Sequence, residues 1–299
     1  MKREEFIKRS AAFIAVAPFS LPGKNPILFD NIERQNNMTN KICTTCGTEF
    51  PANEQDVCSI CNDDRQYVPE TGQAWTTRES LSNNYSVFIR KLNQNLFELK
   101  VSPSFAIGQR AFLILSPAGN ILWDCIPLLN DATIDFIKAK GGLKAIAFSH
   151  PHYYSTMNNW AEVFDCPIYI HKKDEPWIMY KGSRIALWEG VEKLLWNKIR
   201  IINIGGHFPG SSMLHVPAFS PGGTIFCGDT LYISRSKKHI AIMHSYPNQI
   251  PLSLFEINRI KNQVQSIEFD AMHGAFDFQN LTTGVKEIFG NSMKRYTQV

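Results

Sequence analysis

Phe148-Ser149-His150-Pro151-His152-Tyr153-Tyr154-Ser155-Thr156 is the stretch on which the reading of this chain turns. It follows Lys144-Ala145-Ile146-Ala147, a short apolar run that reads as a buried strand, so two histidines fall where a strand gives way to a loop. In an extended backbone, residues two apart point the same way, which lets His150 and His152 present their imidazoles to one point. A metal site that performs chemistry needs about three protein ligands and an open position for water. Gly205-Gly206-His207-Phe208-Pro209-Gly210 offers the third: His207 also follows a strand-like run, Ile201 to Ile204, and the glycines permit a tight converging loop. Phe226-Cys227-Gly228-Asp229-Thr230 places a carboxylate at a further strand end, and Met272-His273-Gly274-Ala275-Phe276 places a last histidine at another.

His-x-His, Gly-Gly-His-x-Pro-Gly, Gly-Asp-Thr and His-Gly, in this order and each after a strand, together resemble the metallo-β-lactamase-fold hydrolases, from about Ser86 to the C-terminus. The resemblance implies an α/β (α+β) fold, a four-layer αββα sandwich. It also implies that His150, His152 and His207 form a complete first metal site, with Asp229 as the ligand that in this family bridges two metals. The first motif of the family usually reads His-x-His-x-Asp-His, and here Tyr154 and Ser155 stand in the last two positions. Neither hydroxyl replaces a carboxylate or an imidazole, since even a tyrosine ionises only near pH ~10. The second site is left with Asp229 and His273, so one zinc ion rather than two is expected in this domain. Replacing Tyr154 and Ser155 by Asp and His is expected to restore the second if the pocket is otherwise intact.

At 299 residues and 44% hydrophobic, the chain can bury a large core. A net charge of +4 with 19% charged residues is too mild to argue for nucleic acid or a membrane surface. No apolar run approaches the roughly 20 residues of a membrane helix. Seven cysteines are an odd number, and four of them form two Cys-x-x-Cys pairs, which favours a metal site over a disulfide framework. Cys125, Cys166 and Cys227 lie in apolar surroundings and read as buried reduced thiols.

Three regions follow. Residues 1–37 read as an extension: Lys2, Arg3, Lys8 and Arg9 precede the apolar Ala11 to Ala17, which resembles an export signal, whereas the alternative places the start at Met38. Residues 38–75 contain Cys43-Thr44-Thr45-Cys46 and Cys58-Ser59-Ile60-Cys61, the spacing of a structural zinc ribbon whose metal supplies most of its stability. The ribbon carries Glu49, Glu54, Asp56, Asp63 and Asp64 against Lys41 and Arg65, so it is expected to dock on its own neighbouring domain or on a protein rather than on nucleic acid. Gln73-Ala74-Trp75 is a candidate anchor. Residues 76–299 form the hydrolase-like domain, with helices expected around 132–140, 156–164, 252–264 and 283–296 and short strands between them. Reduced thiols suit the cytoplasm, with export the alternative if residues 1–37 act as a signal.

The chemistry expected of the resemblance is hydrolysis. Water at the open position of a zinc site ionises near pH ~7, and it would attack the carbonyl of an ester, thioester, lactone or amide of a small molecule. Asp229 is the residue to hold and deprotonate that water, while Tyr154 or His273 could protonate the leaving group. Tyr153 and Tyr154 either pack over the metal loop or donate hydrogen bonds at the site. The rival reading is a metal-binding or regulatory protein that keeps the fold without turnover.

Overall fold

The inner strands of the large domain are apolar on consecutive residues because both faces of each sheet are covered. This is seen in a computed structural model that describes residues 39–53 and 56–297. The 1–37 extension, the Met38 start and Glu54 of the ribbon lie outside the described residues. A seven-stranded sheet runs in the spatial order Ile185–Trp188, Ile168–His171, Ala145–Ala147, Ile121–Trp123, Arg110–Ile114, Leu96–Ser102, Ser86–Asn93. The strands from Ser86 to Trp123 pair antiparallel. The next two join in parallel, which requires crossovers. Helices Asp131–Ala139 and Met157–Phe164 provide them. A six-stranded sheet follows, Glu192–Leu194, Arg200–Asn203, Ser212–Val216, Thr224–Phe226, Ala271–His273, Asn280–Leu281. Its one parallel pair, Thr224–Phe226 with Ala271–His273, is bridged by helix Leu254–Gln265.

Side-chain alternation builds four layers from these elements. Leu113, Leu122 and Ile146 face Ile137, Met157 and Trp160 of the outer helices. The intervening Phe112, Ile114, Ile121 and Trp123 face the second sheet through Ile201, Leu214, Val216 and Phe226. On the far side Ile202, Met213, Ile225 and Met272 pack under Ile257, Ile260, Val264 and Phe289. The architecture is the αββα sandwich expected from the motifs. Phe112, 2% exposed and edge-on to Phe226, sits in the middle layer, where truncation to alanine costs about 3–5 kcal/mol.

A buried arginine, ion-paired within the first sheet, joins it to the second. The Arg110 guanidinium, fully buried on the first sheet, donates to Glu98 at 2.6 Å and to the Gly274 carbonyl and Asn280 Oδ1 on the second, each at 2.9 Å. Its several donors are satisfied, which is the condition for burying a charge. Two of these helices start with side-chain caps: Asn130 Oδ1 accepts from Thr133 N–H and Ser253 Oγ from Glu256 N–H. No helix among the described residues is long and apolar enough to cross a membrane.

Ahead of the sandwich, Lys41–Cys43 pairs antiparallel with Glu49–Phe50 and with Trp75–Thr76. Phe50, Ile60 and the four cysteines form a small separate core. Trp75 packs edge-on against Phe50, and Gln73 donates to Cys43 Sγ while its Oε1 accepts from Cys58 N–H, so the Gln73–Trp75 segment ties the unit internally. The four-cysteine unit and the sandwich belong to one compact body, Thr39–Val299.

Candidate metal centre

Strand Ala145–Ala147 delivers the first two histidines, though not as an extended pair. His150 is extended, and Pro151–Tyr153 then form a single 3-10 turn. The rings nevertheless converge, with centroids of His150 and His152 5.0 Å apart and those of His207 at 4.8 and 5.0 Å from the two. His152 Nδ1 lies 3.2 Å from His207 Nε2. Asp229 Oδ2 lies 3.5 Å from His150 Nε2 and 4.0 Å from His207 Nε2. With zinc–nitrogen bonds near 2.0–2.1 Å, the edge of a ligand tetrahedron is about 3.3 Å, so these separations suit one ion. His150 Nε2 is buried with no hydrogen-bond partner, an unsatisfied lone pair directed into the cluster. Burial holds His152 far below the usual imidazole range, and burial with the neighbouring His150 pushes His207 down to about 3. Both are therefore neutral at pH 7 and able to ligate.

Partners behind the ligands set their orientation. Asp124 accepts from the Ser149 N–H at 2.7 Å and from its hydroxyl at 2.8 Å. The Ser149 oxygen then takes the Nδ1–H of His150 at 2.9 Å, leaving Nε2 for the metal. His207 donates Nδ1–H to the His244 carbonyl at 2.7 Å, with the same effect. Tyr153 donates its hydroxyl to Asp229 Oδ1 at 2.7 Å. Burial pushes the Asp229 carboxyl up, but His150, His207 and that hydroxyl outweigh it and hold it below the usual range. Burial raises Asp124 to about 8. Asp124 was not singled out from sequence, yet it carries the same signal as Asp229, an acid at the end of an apolar strand. Gly228 makes the approach possible: its φ is +51°, and a Cβ there would stand 2.3 Å from Ser149 Oγ.

Other sequence candidates fall elsewhere. Tyr154 is a correction: its ring packs in the outer core edge-on to Phe148, centroids 5.0 Å apart, because a 3-10 turn rotates successive side chains by about 120°. Tyr153, not Tyr154, therefore reaches the metal cluster. Ser155 turns the other way, with Oγ accepting from Gln109 at 3.2 Å and its carbonyl accepting from the Glu49 N–H of the four-cysteine unit at 3.1 Å. His273 stacks on Phe226 and its Nδ1 pairs with Asn280 Oδ1 at 2.6 Å, outside the four-donor group. Two further buried histidines serve the fold instead: His215 is a sheet residue bonded to the Glu268 carbonyl, and His171 bonds the Gly190 carbonyl.

The second cluster is formed by Cys43, Cys46, Cys58 and Cys61, all buried. Sγ separations of 3.7 Å for Cys43–Cys61 and 3.6 Å for Cys46–Cys58 match the edge of about 3.8 Å that zinc–sulfur bonds of about 2.3 Å require. Cys125, Cys166 and Cys227 are buried free thiols, burial pushing Cys166 up to about 12.

A cavity of about 130 Å³ opens on the His/Asp cluster, bordered by His152, His207 and Asp229. Tyr232, Tyr246 and Phe276 wall it, and Gln66 of the four-cysteine unit reaches it. None of its lining residues is Lys or Arg. A larger cavity of about 250 Å³ near His239 and Arg295 holds no group of metal-ligating side chains.

Layer order and donor set together define a protein of the metallo-β-lactamase fold. DIM-1 metallo-β-lactamase exposed to ceftazidime shares that fold at a TM-score of 0.52 and 12% identity, over 70% of this chain and 98% of that one. The mono-zinc form of FIM-1 from Pseudomonas aeruginosa matches at 0.52 and 11%, over 71% and 95%. The chain belongs to the family of the uncharacterized protein YmaE of Bacillus subtilis (strain 168), with 38% identity over 240 residues, 79% of this chain and 88% of that protein. No family model matches it.

Proposed function

We propose that the chain is a zinc-dependent hydrolase that cleaves an ester, thioester, lactone or amide of a small molecule at a single ion held by His150, His152 and His207, with the Asp229 carboxylate beside the open fourth position. The observation that carries this reading is the four-donor cluster, with its unsatisfied His150 Nε2, opening on a cavity. When bound, the ion supplies Lewis acidity and a water that ionises near pH ~7. The chain's own residues do the rest. Asp229 Oδ2 takes a proton from the attacking water and returns it to the leaving atom, so no separate acid is needed. Tyr153 fixes that carboxylate by occupying Oδ1. Tyr232, Tyr246 and Phe276 exclude water around the acyl group.

Cavity size and charge narrow the substrate. Sites for drug-sized ligands run to roughly 300–1,000 Å³, so about 130 Å³ suits a short acyl group with its leaving portion outside. With no cationic side chain on the lining, a carboxylate-bearing β-lactam has no partner there. A single ion is favoured because Tyr154 and Ser155, at the family's remaining second-site positions, turn to the core and to the four-cysteine unit. A structural zinc ion is assigned to the four cysteines, whose reduced state suits the cytoplasm.

The test is metal content of the purified chain together with turnover of neutral short-acyl esters, thioesters and lactones, for the wild type and Asp229→Asn. Two ions per chain and hydrolysis abolished in the variant are expected. Two ions without turnover of any such substrate would favour a metal-binding or regulatory role.

A further inference from the structure

We propose that the turn after the second cysteine pair, Asp63-Asp64-Arg65-Gln66, is a part of the His/Asp centre, with Arg65 a positioning residue for His207, so that the four-cysteine site controls metal affinity at the other site. The proposal rests on the metal reading of the His/Asp cluster given above.

The turn is built off the thiolate cluster. Asn62 N–H bonds the Cys58 carbonyl at 2.9 Å, and Gln66 N–H bonds the Asp63 carbonyl at 3.0 Å. Strands of two or three residues around Phe50, Ile60 and four thiols, with Val68 and Trp75 packed against them, make a small core whose order depends largely on its ion. Asp63 receives the Arg65 guanidinium through two contacts, at 2.7 and 3.0 Å, which neutralises its charge. A cation can therefore stand beside a metal cluster with little net repulsion.

Arg65 then grips the ligand loop. Its Nε–H donates to the His207 carbonyl, and its guanidinium lies over the ring of Phe208, 4.5 Å from the centroid. A second path holds the imidazole itself. His207 Nδ1–H is fixed by the His244 carbonyl, and the His244 ring bonds Asp64 Oδ1 at 2.8 Å. Ser245 donates to the Arg65 carbonyl at 3.0 Å, and Asn248 donates to the carbonyls of Asp64 and Gln66 at 2.9 and 2.8 Å. Backbone and ring of one metal ligand are thus both tied to four consecutive residues of the four-cysteine unit, which also places Gln66 on the cavity lining. Groups that orient a ligand in this way typically change metal affinity 10–100-fold when removed, and coupling between two binding sites is reciprocal.

The experiment is zinc titration of the full metal-free chain against a chromophoric chelator, with cobalt(II) spectra to separate the thiolate site, by its sulfur-to-metal charge-transfer band, from the imidazole–carboxylate site. In Arg65→Ala the thiolate-site affinity should equal wild type while the His/Asp affinity falls about 10–100-fold, with an altered cobalt spectrum at that site. Arg65→Lys, which keeps charge but not the planar fork, should recover part of it. A Cys43→Ser/Cys58→Ser chain that folds should show the same weakening. Unchanged His/Asp affinity in Arg65→Ala, or equal loss at both sites with a cooperative fall in thermal stability, overturns the proposal. A wild-type chain that takes up only the thiolate-bound ion overturns the hydrolase reading along with it.

Discussion

Tyr153 and Asp229, 76 residues apart, are joined by a 2.7 Å hydrogen bond in which the phenol donates to Oδ1 and leaves Oδ2 facing His150. The bond lies wholly inside the protein, since Tyr153 is fully buried. Tyr153→Phe keeps the ring and frees the carboxylate. Hydrogen bonds to charged groups contribute about 1.5–3 kcal/mol, so the metal-free variant should unfold more readily by about that amount. Zinc affinity at the His/Asp site should fall about 10–100-fold. An isothermal titration matching wild type would show that Asp229 needs no such partner.

Gly228→Ala should empty the same site by a different route. The new methyl group meets Ser149 Oγ at 2.3 Å, and the left-handed φ of +51° is costly for alanine. Strain and overpacking together should cost about 2–4 kcal/mol. Ser149 holds His150 in place, so loss of the His/Asp ion should exceed what stability alone explains. Metal content measured well below the unfolding temperature tests this, and a fully loaded variant would contradict it.

Acid should destabilise the metal-free chain partly through His273. Its imidazole is pushed down to about 4, chiefly by burial, with the Asn280 bond opposing and the Arg110 charge adding. Unfolded, it titrates near pH ~6.5. Between these values the unfolded chain binds more protons, so the stabilisation is complete above about 6.5 and is lost as pH falls through about 4, on the order of 3 kcal/mol. His207 acts in the same sense, while Asp124, raised to about 8, acts oppositely between about 4 and 8. The stability difference between wild type and His273→Gln isolates the one group. It should be flat above pH 6.5 and shrink toward pH 4 (both approximate, from the ordinary and shifted values), and a difference constant over that range would refute the assignment.

Tyr154→Asp/Ser155→His should not create a second metal site, contrary to what the motif alone suggests. The Tyr154 side chain lies among Phe148 and the outer core, so a carboxylate there is buried without a partner. A loss of several kcal/mol is expected, with no more than one ion at the His/Asp centre. Gain of an additional ion, measured by atomic spectroscopy, would show that this loop can rearrange.

Much of the fold was legible because its signals are local. Helices expected around 132–140 and 252–264 occur at Asp131–Ala139 and Leu254–Gln265, where a polar cap precedes an apolar periodicity. The short edge strand Glu192–Leu194 is not legible in the sequence because its residues are mostly exposed and Glu-Lys-Leu shows no alternation of apolar and polar residues. His150, His152, His207 and Asp229 announced themselves as polar residues at strand ends, yet the choice between Tyr153 and Tyr154 depended on a 3-10 turn that proline begins and that spacing alone does not reveal. Asp124 shares the strand-end signal but lacks a neighbouring histidine or glycine motif that would have drawn attention to it.

By itself the sequence determined the donor types and their order along the chain, the two cysteine pairs, and the apolar strands that make the layers, because each follows from short-range spacing and periodicity. Tertiary structure alone decided which groups meet. It brought Tyr153 to Asp229, turned Tyr154 into the core, set Asp124 behind Ser149, and laid Arg65 of the four-cysteine unit against the carbonyl of His207. Those contacts span from 25 to 142 residues of sequence, and they depend on how two sheets and a small thiolate unit pack, which no local pattern encodes.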